Sequence, residues 1–261
     1  MIQPPNDQSA AALLASLAAE RLRRFRQAIP DGRHSDVVRL YVLDCQLAEQ
    51  YQALFRAVEI LLRETIHRTL ANTFGSRWFA ESSFRSILDP LTVAAIDKAI
   101  VEVTVGRRAP SAGMVVAEIM LGTWVKLLAK GPGGRHETGI WIPALSSAFQ
   151  GGMTPPERRG RADVYAPAQR FLWARNRVNH CEPVVFGFPL PGQMTADGKH
   201  RRLTPRQLLD DVRTLATMMD VAVGSWMASW VDADTLLADP LAGNALAFMD
   251  RQPRISLEGL R

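Results

Sequence analysis

Two cysteines, Cys45 and Cys181, are all that the 261-residue chain carries, and they form no CxxC pair. A disulfide framework and a cysteine-rich zinc site are therefore excluded, and a reducing compartment suits the composition. No run approaches the roughly eighteen unbroken apolar residues of a membrane span. The N-terminus, Met1-Ile2-Gln3-Pro4-Pro5-Asn6, lacks the basic and apolar regions of a signal peptide, so a cytoplasmic protein is expected. The five histidines show no HExxH spacing, and neither a metal nor a cofactor is expected. Gly131-Pro132-Gly133-Gly134-Arg135-His136 lacks the Lys-Ser/Thr pair of a phosphate-cradling loop, which removes the commonest nucleotide motif. Strand signals are almost absent and no internal repeat stands out.

What remains is helical pattern and positive charge. The chain is 47% hydrophobic, enough to bury a sizeable core, and its net charge of +5 comes mostly from arginine. Ser9 to Ala28 reads as a helix with Ser9 as N-cap, ended by Pro30-Asp31-Gly32. From Ser35 or Asp36 to Thr73 the helical period holds for about ten turns. Its stripe is Leu40, Leu43, Leu47, Tyr51, Leu54, Val58, Leu62, Ile66 and Leu70, with Gly75 as the stop and a kink or short break anticipated along the way. A mixed region covers Trp78 to Asp89, a helix Pro90 to Val103, a loop Gly106 to Gly113, and an apolar helix Met114 to Lys130. Residues 131–160 read as loop with one short helix near Pro143 to Phe149. Pro167 marks the first turn of a helix ending near His180, and Gly187 to Arg202 reads as loop. Thr204-Pro205-Arg206-Gln207 is a capping box that opens a helix running to about Trp230, and the last dozen residues read as frayed. The expected architecture is an all-α bundle of five or more helices.

The most informative string is Arg175-Asn176-Arg177-Val178-Asn179-His180, followed by Cys181-Glu182-Pro183. It joins a guanidinium, which grips phosphate through a rigid fork, to the side chain that titrates nearest neutrality. Arg175 falls within roughly 20° of the centre of the stripe Ala168, Phe171, Leu172, Val178. A guanidinium there must be paired or line a cleft, and an ion pair with a neighbouring helix is the commoner role. Pro183 disfavours helix at Glu182, so His180 sits near the negative end of the helix dipole, where the imidazolium form is favoured or the ring simply caps the helix. Asn176, one turn earlier, can orient His180 or meet a substrate hydroxyl. Arg177 points away from the stripe, as a solvated residue or an outer phosphate contact. Glu59, Arg63 and His67 form an i, i+4 ladder, usually local support, from which Glu59 could also anchor Arg175. Cys181 beside His180 is no protease dyad, since neighbouring helical residues diverge by about 100°. The clusters Arg21 to Arg26, Arg107-Arg108, Arg158 to Arg161 and Arg201-Arg202 are solvated faces unless the fold gathers them into a nucleic-acid surface.

The spacing R-x4-H is the signature of the HEPN superfamily, and Trp173 to Pro183 resembles the RNR-x2-HHEP hallmark of its Abi-like (abortive infection) branch. Val58 to Glu64 with Phe74-Gly75 and Trp78, Ile119 to Val125, and Trp226 to Trp230 resemble that branch as well. Cys181 stands where a second histidine is usual, and Glu64 where an asparagine commonly follows the arginine. The resemblance implies a HEPN-type helical domain over 36–232, a helical N-terminal extension over 1–35 and a C-terminal one over 233–261. It also implies a homodimer that brings two R-x4-H segments into one cleft, and a metal-independent endoribonuclease of antiphage defence or a toxin. Arg175, Asn176 and His180 would then be catalytic, with Glu59, Arg63, Arg177 and Glu182 in support. RNA is the implied substrate, and an antitoxin protein or small RNA a possible partner. A non-catalytic RNA-binding or antitoxin-like module is the alternative.

Overall fold

The computed structural model describes residues 6–30, 32–105, 111–154, 156–195, 198 and 200–251. They are mostly helical. In chain order the elements are α1 (Asp7–Ser16), α2 (Ala19–Ala28), α3 (His34–Phe74), α4 (Ser82–Arg85), α5 (Pro90–Thr104), α6 (Ala112–Glu118), α7 (Leu121–Leu127) and α8 (Arg161–Asn179). After the hairpin β1 (Phe188–Met194) and β2 (His200–Leu203) come α9 (Pro205–Met219), α10 (Val221–Ala228), α11 (Ala233–Leu237) and α12 (Pro240–Arg251).

The longest apolar pattern forms as expected. Helix α3 runs for 41 residues without a break in its helical assignment. Every residue of its stripe from Leu40 to Leu70 is buried, and Gly75 ends it at φ 92°, a left-handed conformation that suits glycine. Asp89 starts α5 by accepting from the amides of Leu91 and Thr92 at 3.1 and 3.2 Å, ahead of Pro90 at the first helical position. Thr204 and Gln207 make the reciprocal bonds of a capping box at 3.1 and 2.9 Å.

Elsewhere helices break where the sequence reads as continuous. The first expected helix is two, and Asn6 rather than Ser9 is its N-cap, accepting from the Ser9 amide at 2.8 Å. Leu17 and Ala18 separate the two in extended conformations without glycine or proline, so packing sets this break against local propensity. The helix expected over Met114 to Lys130 is also two. Ile119 is extended between them, and its carbonyl accepts from the buried Trp124 indole at 3.1 Å, the acceptor that a buried Nε1–H requires. Met120, inside the expected apolar helix, is 66% exposed. Helix α9 stops before Asp220, which caps α10 through the Val223 amide at 2.9 Å, so no single helix reaches Trp230.

Helix α8 begins six residues before Pro167, which lies inside it. Asp163 accepts from the Gly160 amide at 3.0 Å, the acidic half of a capping box, and this outweighs the proline signal. The expected loop over Gly187 to Arg202 contains strand β1 and most of β2, paired antiparallel with Phe188 opposite Leu203 and Pro189 opposite Arg202. Pro189, Pro191 and Gly192 hide that strand from a propensity reading, yet two-stranded sheets have only edges, where proline is tolerated. Between residues 131 and 160 the short helix appears as a 3₁₀ turn at Leu145–Ser147, preceded by a π turn at Glu137–Trp141. Residues 106–110 and 252–261, which include Arg107-Arg108 and most of the expected frayed end, lie outside the described residues.

The chain divides into two compact units that alternate along the sequence. The first comprises Met1–Ala53, Ala174–Leu209 and Val231–Arg261. Its core sets Phe25 edge-on to Tyr41 and Phe186, with Phe186 also meeting Phe248. Tyr51 packs on Phe188 and donates its hydroxyl to the Pro205 carbonyl. The second comprises Leu54–Trp173 and Asp210–Trp230. Trp78 is its centre, fully buried among Phe79, Phe84 and Trp124, and Phe55 meets Phe171. Arg170 grips Asp211 through two bonds of 2.6 and 2.7 Å. No helix among the described residues is long and apolar enough to cross a membrane.

Candidate functional site

The site builds on the C-terminal end of α8, inside the first unit. This helix buries Val164, Ala168, Phe171, Ala174 and Val178. The stripe therefore passes through Ala174 and leaves Leu172 only half-buried. Arg175, expected at the stripe's centre, sits half-buried at its edge, because a small residue one position earlier takes the inward place. Asn176, Asn179 and His180 are exposed. Asn176 and His180, one turn apart, share the outward face of this segment.

The helix ends in a tightly specified turn. The Glu182 amide donates to the Arg177 carbonyl and the Cys181 amide to the Val178 carbonyl, both at 3.0 Å. These two bonds define a Schellman motif with His180 as C-cap and Cys181 in the left-handed position, at φ 54°. Cys181 is the one non-glycine with positive φ among the described residues. The hydrophobic contact that usually closes such a motif is replaced by an ion pair between Arg177 and Glu182. Arg177 is thus partly buried and paired, against the expectation of a solvated side chain; burial lowers its affinity for its proton, which Glu182 partly restores.

Asp44 of α3 anchors the exit from this turn. One of its carboxylate oxygens accepts from the amides of Val184 and Val185 at 2.6 and 2.8 Å. Burial pushes the carboxyl up to about 6 against the pull of those two bonds. Beside it, Cys45 shares a hydrogen bond with the Tyr41 hydroxyl, and burial, then the Asp44 charge, pushes its thiol up. Cys181 also acts on Cys45 electrostatically, so the fold brings together the two cysteines that the sequence separates. Both are free thiols.

Arginines from three segments gather at this turn and at the residues that follow it. Arg21 of α2 donates to the Cys181 carbonyl at 3.0 Å. Arg202 of β2 donates to the carbonyls of Phe186, at 3.1 and 2.9 Å, and Gly187, at 2.7 Å. Burial, then the charges of Arg24 and Arg177, pull Arg202 down to about 10. Asp44, Arg24 and Arg202 carry no motif of their own; the only sequence signal was the clustering of arginines.

Glu59 and Arg63 belong to the second unit and pair with each other on α3. Arg63 also donates to the Ala117 carbonyl at 2.7 Å. The ladder does not continue to His67, whose Nδ1 accepts from the Trp78 indole at 2.9 Å. Arg159 and Arg161, read as solvated, are likewise engaged: Arg159 with the carbonyls of Phe149 and Gly151, Arg161 with Glu137 and the Leu128 carbonyl. Among the described residues no group of three or more His, Cys, Asp or Glu is placed to hold a metal ion.

Compared with known proteins, the chain matches no protein-family model, no curated protein and no solved structure. The chemistry of the site therefore rests on its own residues. A guanidinium, a carboxamide and an imidazole lie on the last turns of one helix, amid an excess of positive charge. Such a set can bind a phosphate group and offers an imidazole for proton transfer.

Proposed function

We propose that the chain is a metal-independent endoribonuclease of the R-x4-H HEPN type, of the Abi-like kind, acting in antiphage defence or as a toxin. The observation that carries this reading is the joint presentation of Asn176 and His180 on the outward face of α8, with Arg175 at its edge and a fixed turn behind them. In this reading His180 removes the proton from a ribose 2′-hydroxyl, and the oxygen attacks the adjacent phosphorus. The P–O5′ bond breaks, and a protonated His180 from a second copy of the chain delivers a proton to the leaving oxygen. Arg175 stabilises the charge on the phosphoryl oxygens. The products are a 2′,3′-cyclic phosphate and a 5′-hydroxyl. DNA, lacking the nucleophile, is not cut.

The test is cleavage of single-stranded RNA in EDTA by the wild type and by His180→Ala, with mass analysis of the ends. Cyclic phosphates from the wild type alone support the reading. One feature favours a second reading, a non-catalytic RNA-binding module: Cys181 occupies the place of the second histidine, and a thiol cannot replace an imidazolium as proton donor. RNA that stays intact with a confirmed dimer, yet binds less well to Arg175→Ala, selects that module.

A further inference from the structure

We propose that Arg21, Arg24, Arg177 and Arg202 form a binding site for a phosphate group beside the C-terminal turn of α8. Four guanidiniums gather there from α2, α8 and β2. Arg21 and Arg24 lie one turn apart on α2, hence on one face, and Arg21 is fixed to the Cys181 carbonyl at 3.0 Å. Phe25, next in sequence, packs on Phe186 with centroids 5.1 Å apart. Phe186 in turn supplies the carbonyl that holds Arg202 at 2.9 Å. Arg177 is tied to Glu182 in the same turn.

Among the described residues this is the one ion pair the four arginines make. Their mutual repulsion is felt: Arg24 acts on both Arg177 and Arg202, and Arg177 on Arg202. The Nε–H of Arg177 is moreover buried without an acceptor among the described residues. A fold that gathers like charges beside one turn favours an anion there. Planar guanidiniums match the oxygens of a phosphate, which offers several acceptors at once. The backbone carbonyls occupy part of the donor set of Arg21 and Arg202 and hold these side chains in place.

The ligand is a phosphate, either a phosphodiester of an RNA strand or a free phosphate; only the RNA source rests on the function proposed above. The test uses the full chain and two single variants of equal charge. Arg24→Gln removes an exposed member of the site, and Arg23→Gln removes its exposed neighbour, which pairs with Glu20 at 3.2 Å instead. Thermal stability is followed against inorganic phosphate at constant ionic strength. Binding of a labelled single-stranded RNA oligonucleotide is measured by anisotropy in EDTA on a His180→Ala background.

Arg24→Gln is expected to weaken binding roughly tenfold, and Arg23→Gln much less. For RNA, the slope of log affinity against log salt falls by about one in Arg24→Gln. A selective loss with RNA alone assigns the site to the strand. Selective loss of phosphate-dependent stabilisation, with RNA binding unchanged, assigns it to a free phosphate. Equal effects of the two variants on both ligands, or no effect of either, overturn the proposal. A wild type that binds RNA without cutting it leaves this site standing even where the nuclease reading fails.

Discussion

Replacing Asp44 with asparagine should change how stability depends on pH. The carboxyl is buried, and its proton affinity in the fold is raised from 3.8 to about 6. Between those values the folded state binds more protons than the unfolded state, so this group's contribution is fully present below about pH 4. It is lost as pH rises through 6. A shift of about two units corresponds to about 3 kcal/mol of stability withdrawn across that window. The carboxamide introduced by Asp44→Asn would keep an oxygen to accept from Val184 and Val185 while removing the charge that burial penalises. Urea unfolding of both proteins from pH 4 to pH 7.5 gives a difference curve in which all other titrating groups cancel. Wild-type stability relative to Asp44→Asn should fall along that curve by about 3 kcal/mol. Asp44→Ala serves as the companion. It loses the same slope but adds a constant penalty of about 2–4 kcal/mol, because two buried amides lose their acceptor. A flat difference curve would refute the reasoning, since it would mean that the carboxylate is as well solvated in the fold as outside it.

Cys181 holds a left-handed conformation that suits glycine better than any residue with a Cβ. Stability should therefore rank Cys181→Gly above the wild type and Cys181→Val below it, over a span of roughly 2 kcal/mol by denaturant unfolding; a valine variant as stable as the glycine one would contradict the Schellman geometry. Arg63 and Glu59 pair with side chains only 16% and 12% exposed. Arg63→Met removes one partner from Glu59 and the donor from the Ala117 carbonyl, and should cost about 1–3 kcal/mol in the same assay; a variant as stable as the wild type would show that these bonds add nothing to the fold.

The chain's own pattern foretold the elements that local physics controls. The α3 stripe buries at each expected position because apolar side chains three and four apart must share a face. Gly75, the Asp89-Pro90 start and the Thr204–Gln207 box act within one turn, through backbone sterics and capping bonds, so they too were legible. The candidate helix end was legible in the same way, since Pro183 stops α8 within one residue of His180.

What depends on distant partners was not. The breaks at Leu17-Ala18 and Ile119-Met120 carry no glycine or proline, and the buried Trp124 indole takes up the carbonyl freed at the second. Arg177 reads as solvated from its helical phase, but its environment is made by Glu182 across a turn and by Arg24 of α2. Asp44 looks like any helix-surface acid until the chain at Val184 and Val185 closes over it. Residue types and spacings thus determined the helices and the R-x4-H segment. Only tertiary structure decided which charges meet there, because burial and long-range pairing depend on segments that the chain must bring together from far apart.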